Sequence, residues 1–290
     1  MHFVEAKGIL NGRESAFGMN LYRGCSHGCI YCDSRSACYG FTHPFEDIEV
    51  KQNAPALLES ALRTRRRRGM IGTGSMSDPY MHCEEKLRLT RQCLGIIRKY
   101  GFGASVLTKS DRILRDLDLL EAIHRESRCV VQMTLTTWDE ALCKIVEPKV
   151  CGTQKRIETL REMQRLGIPT VVWLTPILPH LNDTEENVRR ILEACAETGV
   201  RGIVCFNMGL TLREGNREYY YAALDRHFPG LREQYIREYG SAYEVTSPRN
   251  RELMKLFRTF CEEHRILHEP ERCFAFIAEF PEKDRQMSLF

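Results

Sequence analysis

The run Arg23-Gly24-Cys25-Ser26-His27-Gly28-Cys29-Ile30-Tyr31-Cys32 places three thiols in one short loop at C-x3-C-x2-C spacing. Three thiolates this close in sequence can converge on a single inorganic cluster, and Gly24 and Gly28 allow the backbone to fold tightly around it. Iron-sulfur clusters normally take four cysteine ligands. A set of three leaves one iron open, as three protein ligands on a catalytic zinc leave a position for substrate. The aromatic Tyr31 just before the last cysteine favours the cluster reading. A rival is a zinc site completed by Cys38, His27 or His43, which would make the chain a non-catalytic zinc-binding module that recruits partners. Zinc sites more often pair two short Cys/His motifs across a longer loop, and no second motif is evident.

The surrounding sequence must position this loop. Phe17 to Tyr22 reads as a strand entering it. Ala54 to Arg68 reads as a helix with Pro55 in its first turn, and Met70 to Ser75 as a strand. Glu84 to Tyr100 has the spacing of one amphipathic helix. Phe102 to Thr108 is strand-like, and Asp111 is placed to cap a helix through about Arg125. Cys129 to Leu135 is a strand, followed by a helix from Arg156 to Leu166 that Gly167 stops. Thr170 to Leu174, a helix capped by Asp183 or Thr184, and Arg201 to Phe206 complete the series. Six strand-helix alternations argue for a parallel sheet wrapped by helices. The expected fold is α/β, a partial (β/α)6 barrel over 1–210 with a mostly helical extension over 211–290. In such barrels chemistry gathers at the C-terminal strand ends, and the cysteine loop follows the first strand.

Composition sets outer limits. The chain has 290 residues, 43% hydrophobic and 28% charged, ordinary for a globular protein. A net charge of +3 is too small to imply a nucleic-acid partner by itself. No apolar run approaches a membrane span, and residues 1–10 lack an apolar signal core. Thirteen scattered cysteines fit a reducing cytosol better than a disulfide framework. A cytoplasmic location is therefore expected.

The cysteine motif with its preceding aromatic resembles the signature of the radical S-adenosylmethionine (SAM) superfamily, whose usual fold is a partial barrel. The resemblance implies a [4Fe-4S] cluster whose open iron chelates SAM, and an electron supplied by a reductant such as flavodoxin or ferredoxin. SAM would then yield a 5'-deoxyadenosyl radical that takes hydrogen from a substrate. The stretches Gly72 to Tyr80, Thr108 to Ser110 with Arg115 to Leu120, and Pro176 to Asp183 are similar to the spore photoproduct lyase-like branch. By that resemblance Tyr31, Ser75, Ser77, Lys109, and Thr134 or Thr136 would bind the cofactor. Lysine offers a point charge and the hydroxyls offer hydrogen bonds. Two departures set the chain apart from the lyase itself. Ser75 stands where the lyase has its cysteine hydrogen donor, and Asp33 replaces the tyrosine after the third cysteine. Cys83 is a candidate substitute donor, or a small core residue.

Other features have plainer readings. Arg63 and Arg65 to Arg68 read as a solvated helix end, although clustered arginines can touch phosphate. Cys261 and Cys273, with His264 and His268, match no compact ligand motif. Trp138 and Trp173 are expected to be packing residues. The final run Gln286-Met287-Ser288-Leu289-Phe290 resembles the peptide by which bacterial repair proteins dock on the DNA sliding clamp. That reading would make DNA or a nucleotide lesion the candidate substrate; the alternative is a tail folded onto its own barrel.

Overall fold

The computed structural model describes residues 1–13 and 16–281; the clamp-like run Gln286 to Phe290 lies outside the described residues. A strand β1 (His2–Val4) precedes β2 (Leu10–Arg13) and β3 (Ala16–Met19). β4 (Tyr22–Arg23) enters the cysteine loop, and β5 (Glu49–Lys51) leaves it for α1 (Ala54–Arg63). Strand and helix then alternate through β6 (Met70–Thr73), α2 (Glu84–Leu87), α3 (Leu89–Lys99), β7 (Gly103–Thr108), α4 (Leu117–Glu126) and β8 (Cys129–Thr134). The series continues with α5 (Glu140–Val146), α6 (Thr153–Arg165), β9 (Thr170–Trp173), α7 (Glu185–Glu197) and β10 (Gly202–Val204). After it come β11 (Gly209–Thr211), α8 (Asn216–His227), α9 (Leu231–Tyr239), β12 (Glu244–Thr246), α10 (Asn250–Glu263) and α11 (Pro270–Ala278).

The central sheet runs β10-β9-β8-β7-β6-β3-β2, with β2 antiparallel and the other six strands parallel. It is open, a partial barrel of α/β type. Its middle strands are buried with little alternation because helices cover one face and the site fills the other; every residue of β8 is buried, Gln132 and Thr134 included. Outside, α1 shows why such helices form. Pro55 needs no hydrogen bond in the first turn, and Ala54, Leu58 and Leu62 recur every fourth residue on the buried face.

Local chemistry moved several expected boundaries. The helix expected over Glu84 to Tyr100 breaks at Arg88, which adopts a left-handed conformation with φ of 49°. Thr90 N then donates to the Glu84 carboxylate at 2.8 Å, replacing a helical bond. Asp111 is not the cap expected there. Ser110 Oγ accepts from Arg112 N at 3.2 Å and opens a 3-10 turn that precedes α4. The first strand leaves the main sheet at Met19, and Tyr22–Arg23 pair instead with β5 in a small three-stranded sheet with β1. The helix α1 ends at Arg63, short of the arginine run. By contrast, Gly167 follows α6 with φ of +70°, and Thr184 caps α7 by accepting from Asn187 N.

The core has two lobes. One packs α1, α3 and α4 on β3, β6 and β7; the other packs α7 and α10 on β8, β9 and β10. A third buried cluster joins Cys29, Ile30 and Tyr31 of the cysteine loop to Tyr220, Tyr235 and Val245 beyond residue 210. Among the described residues no helix is long and apolar enough to cross a membrane.

Candidate active site

The cysteine loop is held at both ends and in the middle. Cys25 N donates to Phe45 O at 3.2 Å, Ile30 N to Val146 O at 3.0 Å, and Lys149 N to His27 O at 3.1 Å. Gly24 and Gly28 have φ of +84° and +73°, and a Cβ on Gly24 would stand 2.4 Å from Phe45 O. Glycine is therefore required at position 24 by both conformation and contact. So held, Cys25, Cys29 and Cys32 all line one cavity of about 660 Å³ at the C-terminal ends of the parallel strands. Burial pushes the thiol of Cys25 up to about 12 and raises that of Cys29 well above its ordinary value. Protonated thiols are what such a pocket favours until a metal takes them; a coordinated thiol gives up its proton.

The opposite wall carries polar groups. Ser75, Ser77, Lys109 and Thr134 line the same cavity, with Tyr31 beside them. The Lys109 ammonium lies 5.9 Å from the centre of the Tyr31 ring. Burial acts to lower its pKa, but Cys29, Glu147 and Cys32 more than offset that, and the net shift is upward. Lys109 therefore stays a cation facing the cysteines. Ser77 Oγ donates to Tyr22 O at 3.0 Å. Thr136 is not brought to this wall. It is fully buried, its hydroxyl 3.3 Å from that of Thr137. Cys83 is likewise absent from the lining; it packs against the first core lobe beside Glu84, its thiol pushed up to about 11 by burial. Asp33 lines the cavity and accepts from Tyr39 OH at 3.1 Å.

Comparison with known proteins bears on this geometry. The sequence profile of the Radical SAM superfamily matches residues 19–195, more than half of the chain. The chain belongs to the radical SAM superfamily. An uncharacterized protein of Mycobacterium tuberculosis is 30% identical over 271 residues, covering 88% of this chain and 77% of its own. An uncharacterized protein of Methanocaldococcus jannaschii is 34% identical over 187 residues, 63% of this chain and 69% of its own. Among solved structures, spore photoproduct lyase with bound AdoMet and dinucleoside spore photoproduct aligns with a TM-score of 0.62 at 15% identity, over 87% of this chain and 75% of that one. That likeness is one of fold.

In this radical SAM chain the three loop cysteines are not drawn together as the ligands of one ion would be. Zinc at about 2.3 Å from each sulfur draws its ligands to within roughly 4 Å of one another. Among the described residues, His2, His43 and Glu49 form the group of three whose ligand atoms lie within 4.8 Å; the cysteines do not. The fourth ligands that zinc would need are also engaged elsewhere. Cys38 is exposed and accepts from Arg213 at 3.4 Å, and His43 Nε2 lies 2.8 Å from Glu49. His27 remains, 2% exposed, with Nε2 lacking any partner and the ring lining the cavity. An unpaired buried nitrogen beside three thiols is a group waiting for a polar ligand. Backbone N–H groups of Asp78 and His27 approach the Cys25 sulfur, an arrangement that stabilises its charged form.

Several residues that matter escaped the sequence reading. Asp78 bridges the walls. Its carboxylate accepts from Thr108 Oγ1 and Lys109 N, both at 2.7 Å, and its Oδ2 lies 3.5 Å from His27 Nδ1. Glu147 accepts from both Tyr31 OH and Arg156, and Arg156 also donates to Thr134 O at 3.1 Å. All three side chains of that chain are buried. Lone charged residues in a sequence carry no pairing signal, so nothing pointed to this network. Trp173, expected to be packing, instead lines the cavity mouth, its Nε1 donating to Gln132 Oε1 at 2.8 Å. Cys261 and Cys273 are core thiols, as their spacing suggested, and His264 stacks on Phe260 at 4.0 Å.

Proposed function

We propose that this chain is an enzyme that holds a [4Fe-4S] cluster on Cys25, Cys29 and Cys32, binds SAM at the open iron, and abstracts hydrogen from a substrate entering past Trp173. What carries the reading is that the three thiols line one cavity with Lys109, Ser75, Ser77 and Thr134. When bound, cluster and SAM supply a 5'-deoxyadenosyl radical once a reductant of the flavodoxin or ferredoxin class delivers an electron. The chain's own residues bind and orient. Lys109 offers the cation for the SAM carboxylate. Ser75 and Thr134 have side-chain hydroxyls with no hydrogen bond to the rest of the described chain, free to take a ligand. Tyr31 fixes the third cysteine's approach through its bond to Glu147. The cavity lining holds no thiol beyond the three cluster cysteines. With Ser75 in the donor's place and Cys83 packed against the first core lobe, no further thiol among the described residues lines the cavity to return hydrogen by the lyase's route. The dinucleoside lesion bound in the lyase structure supports DNA or a nucleotide as the substrate class.

The test is direct. Anaerobically reconstituted protein should be brown and should release 5'-deoxyadenosine from SAM under strong reductant. Cys29→Ala should lose iron and product together. An intact cluster that releases no 5'-deoxyadenosine would sink the proposal.

A further inference from the structure

Three aromatic rings meet at the mouth of the cavity. Trp173 ends β9, Phe206 follows β10, and Phe274 belongs to α11. Their centroids are 6.3, 5.9 and 6.2 Å apart, and Phe206 and Phe274 are 54% and 40% exposed. Large rings seldom gather in water without a partner, and an exposed cluster of this kind marks a binding surface. Trp173 and Phe206 also line the main cavity, so the rings stand at its rim.

Beside the rings runs a groove of about 580 Å³ that shares Phe206 and is walled by Arg251, Lys255 and Arg258 of α10. Residues spaced at i, i+4 and i+7 share one helix face. All three side chains are exposed, and none makes an ion pair or hydrogen bond among the described residues. Neighbouring cations behave differently: Arg249 pairs with Glu252 and Arg272 with Glu269. The one acid on the groove, Glu262, has His268 at 3.9 Å. The unpaired cations extend about 10 Å along the helix at 1.5 Å per residue.

We propose that this surface binds a single-stranded nucleic-acid segment, with phosphates along Arg251, Lys255 and Arg258 and bases stacked on Trp173, Phe206 and Phe274, so that one base enters the cavity. The assignment rests on the proposed function and names the substrate's form. Stacking rings beside a positive groove are the two elements by which proteins hold unpaired strands. An acidic peptide would satisfy the cations but leave the rings unused. A duplex keeps its bases stacked on each other and cannot offer their faces.

The experiment uses the cluster-loaded full chain and a fluorescein-labelled twelve-residue oligothymidylate, followed by anisotropy from 50 to 200 mM salt. Binding should be tighter to the single strand than to the duplex of the same sequence or to polyglutamate. Three phosphate contacts predict a slope of log K against log salt near −2, at about 0.7 per contact. R251E/K255E/R258E should flatten that slope while leaving the melting temperature and substrate-free 5'-deoxyadenosine release unchanged. Phe206→Ala should weaken binding roughly ten-fold with the slope retained. Equal affinity for duplex or polyglutamate would overturn the proposal. So would oligonucleotide binding that appears only after residues 282–290 are removed, since the tail would then be the occupant. Absent oligonucleotide binding with 5'-deoxyadenosine release intact would remove this surface and leave the SAM chemistry standing.

Discussion

Glu147 shows how a single buried charge can organise a site without touching a ligand. Its carboxylate lies between Tyr31 OH and Arg156, with Cys143 Sγ at 3.7 Å. Burial acts to raise its pKa, but Arg156 and Lys109 outweigh it, and the carboxyl titrates below the usual 4.5. The pair is worth keeping mainly because half of it is worse than none. Removing one partner leaves Arg156 charged and uncompensated in the core, which costs about 3–5 kcal/mol. Glu147→Gln preserves shape and removes only the charge, so it isolates this term. It should lower the melting temperature by roughly 6–12 °C, taking the lower end of that cost, and reduce iron loading by loosening Tyr31. The pH sign follows from the depressed pKa. The stabilisation is present above the unfolded value near 4.5 and is lost as pH falls through the lower folded value. The difference in stability between wild type and Glu147→Gln should thus be flat from pH 7 to 5 and shrink below 4.5. The comparison is made on both proteins free of iron, so acid loss of a cluster does not enter that difference. A gap that stays constant down to pH 3.5 would show that the charge is not what stabilises the network.

At the scale of elements, glycines mark where the chain had no alternative. Gly74, just past β6, has φ of +103°, and a Cβ there would lie 1.9 Å from Leu107 O on the neighbouring strand. Gly167 has φ of +70° but open space around it. Ala at Gly167 meets only the left-handed strain, about 1 kcal/mol, or 2–4 °C in melting temperature. Ala at Gly74 must also separate β6 from β7 at the cavity wall, so it should cost several-fold more and depress cluster loading; equal melting shifts in the two variants would contradict this. The contrast also shows what the sequence can carry. Both glycines are visible as letters, and Gly167 announces its role because it ends a helical pattern. The six strand-helix units were legible for the same reason: apolar runs and helical periodicity are local signals. So were the three cysteines, whose spacing lies within eight residues. What was not legible depends on distant partners. Arg88 breaks a periodic helix because Glu84 prefers Thr90 N and Arg115. Thr136 looked equivalent to Thr134, but strand alternation sends adjacent-but-one residues to one face only while the strand lasts. β8 ends at Thr134, so Thr136 turns inward. Trp173 could not be told from a core tryptophan, because the rings that make it a rim residue come from residues 206 and 274.

The whole molecule raises the question of what the last eighty residues are for. Tyr220, Tyr235 and Val245 bury against Cys29, Ile30 and Tyr31, so the floor under the cysteine loop is built from chain beyond residue 210. Phe257 and Cys261 on α10 fill the lobe that α7 shares with β10. Leu267 bridges to Gly202 at the sheet edge, where Ile203 N donates to Leu267 O at 2.7 Å, and Cys273 packs beside Val204. That edge would otherwise offer unpaired N–H and C=O groups to other chains. Burial of each large apolar side chain is worth about 1.5–3 kcal/mol. Losing Tyr220, Tyr235, Val245, Phe257 and Cys261 together would therefore remove about as much as the 5–15 kcal/mol that holds a domain folded. A chain ending at residue 210 should accordingly fail to form a cooperative fold, although it contains every cysteine of the loop and all six parallel strands. Its amide NMR spectrum should be collapsed and it should bind a hydrophobic dye, while iron added under reducing conditions should give no stoichiometric cluster. Dispersed amide resonances with a cluster loaded on residues 1–210 would show instead that the barrel closes its own core, and that the later helices serve only to receive substrate.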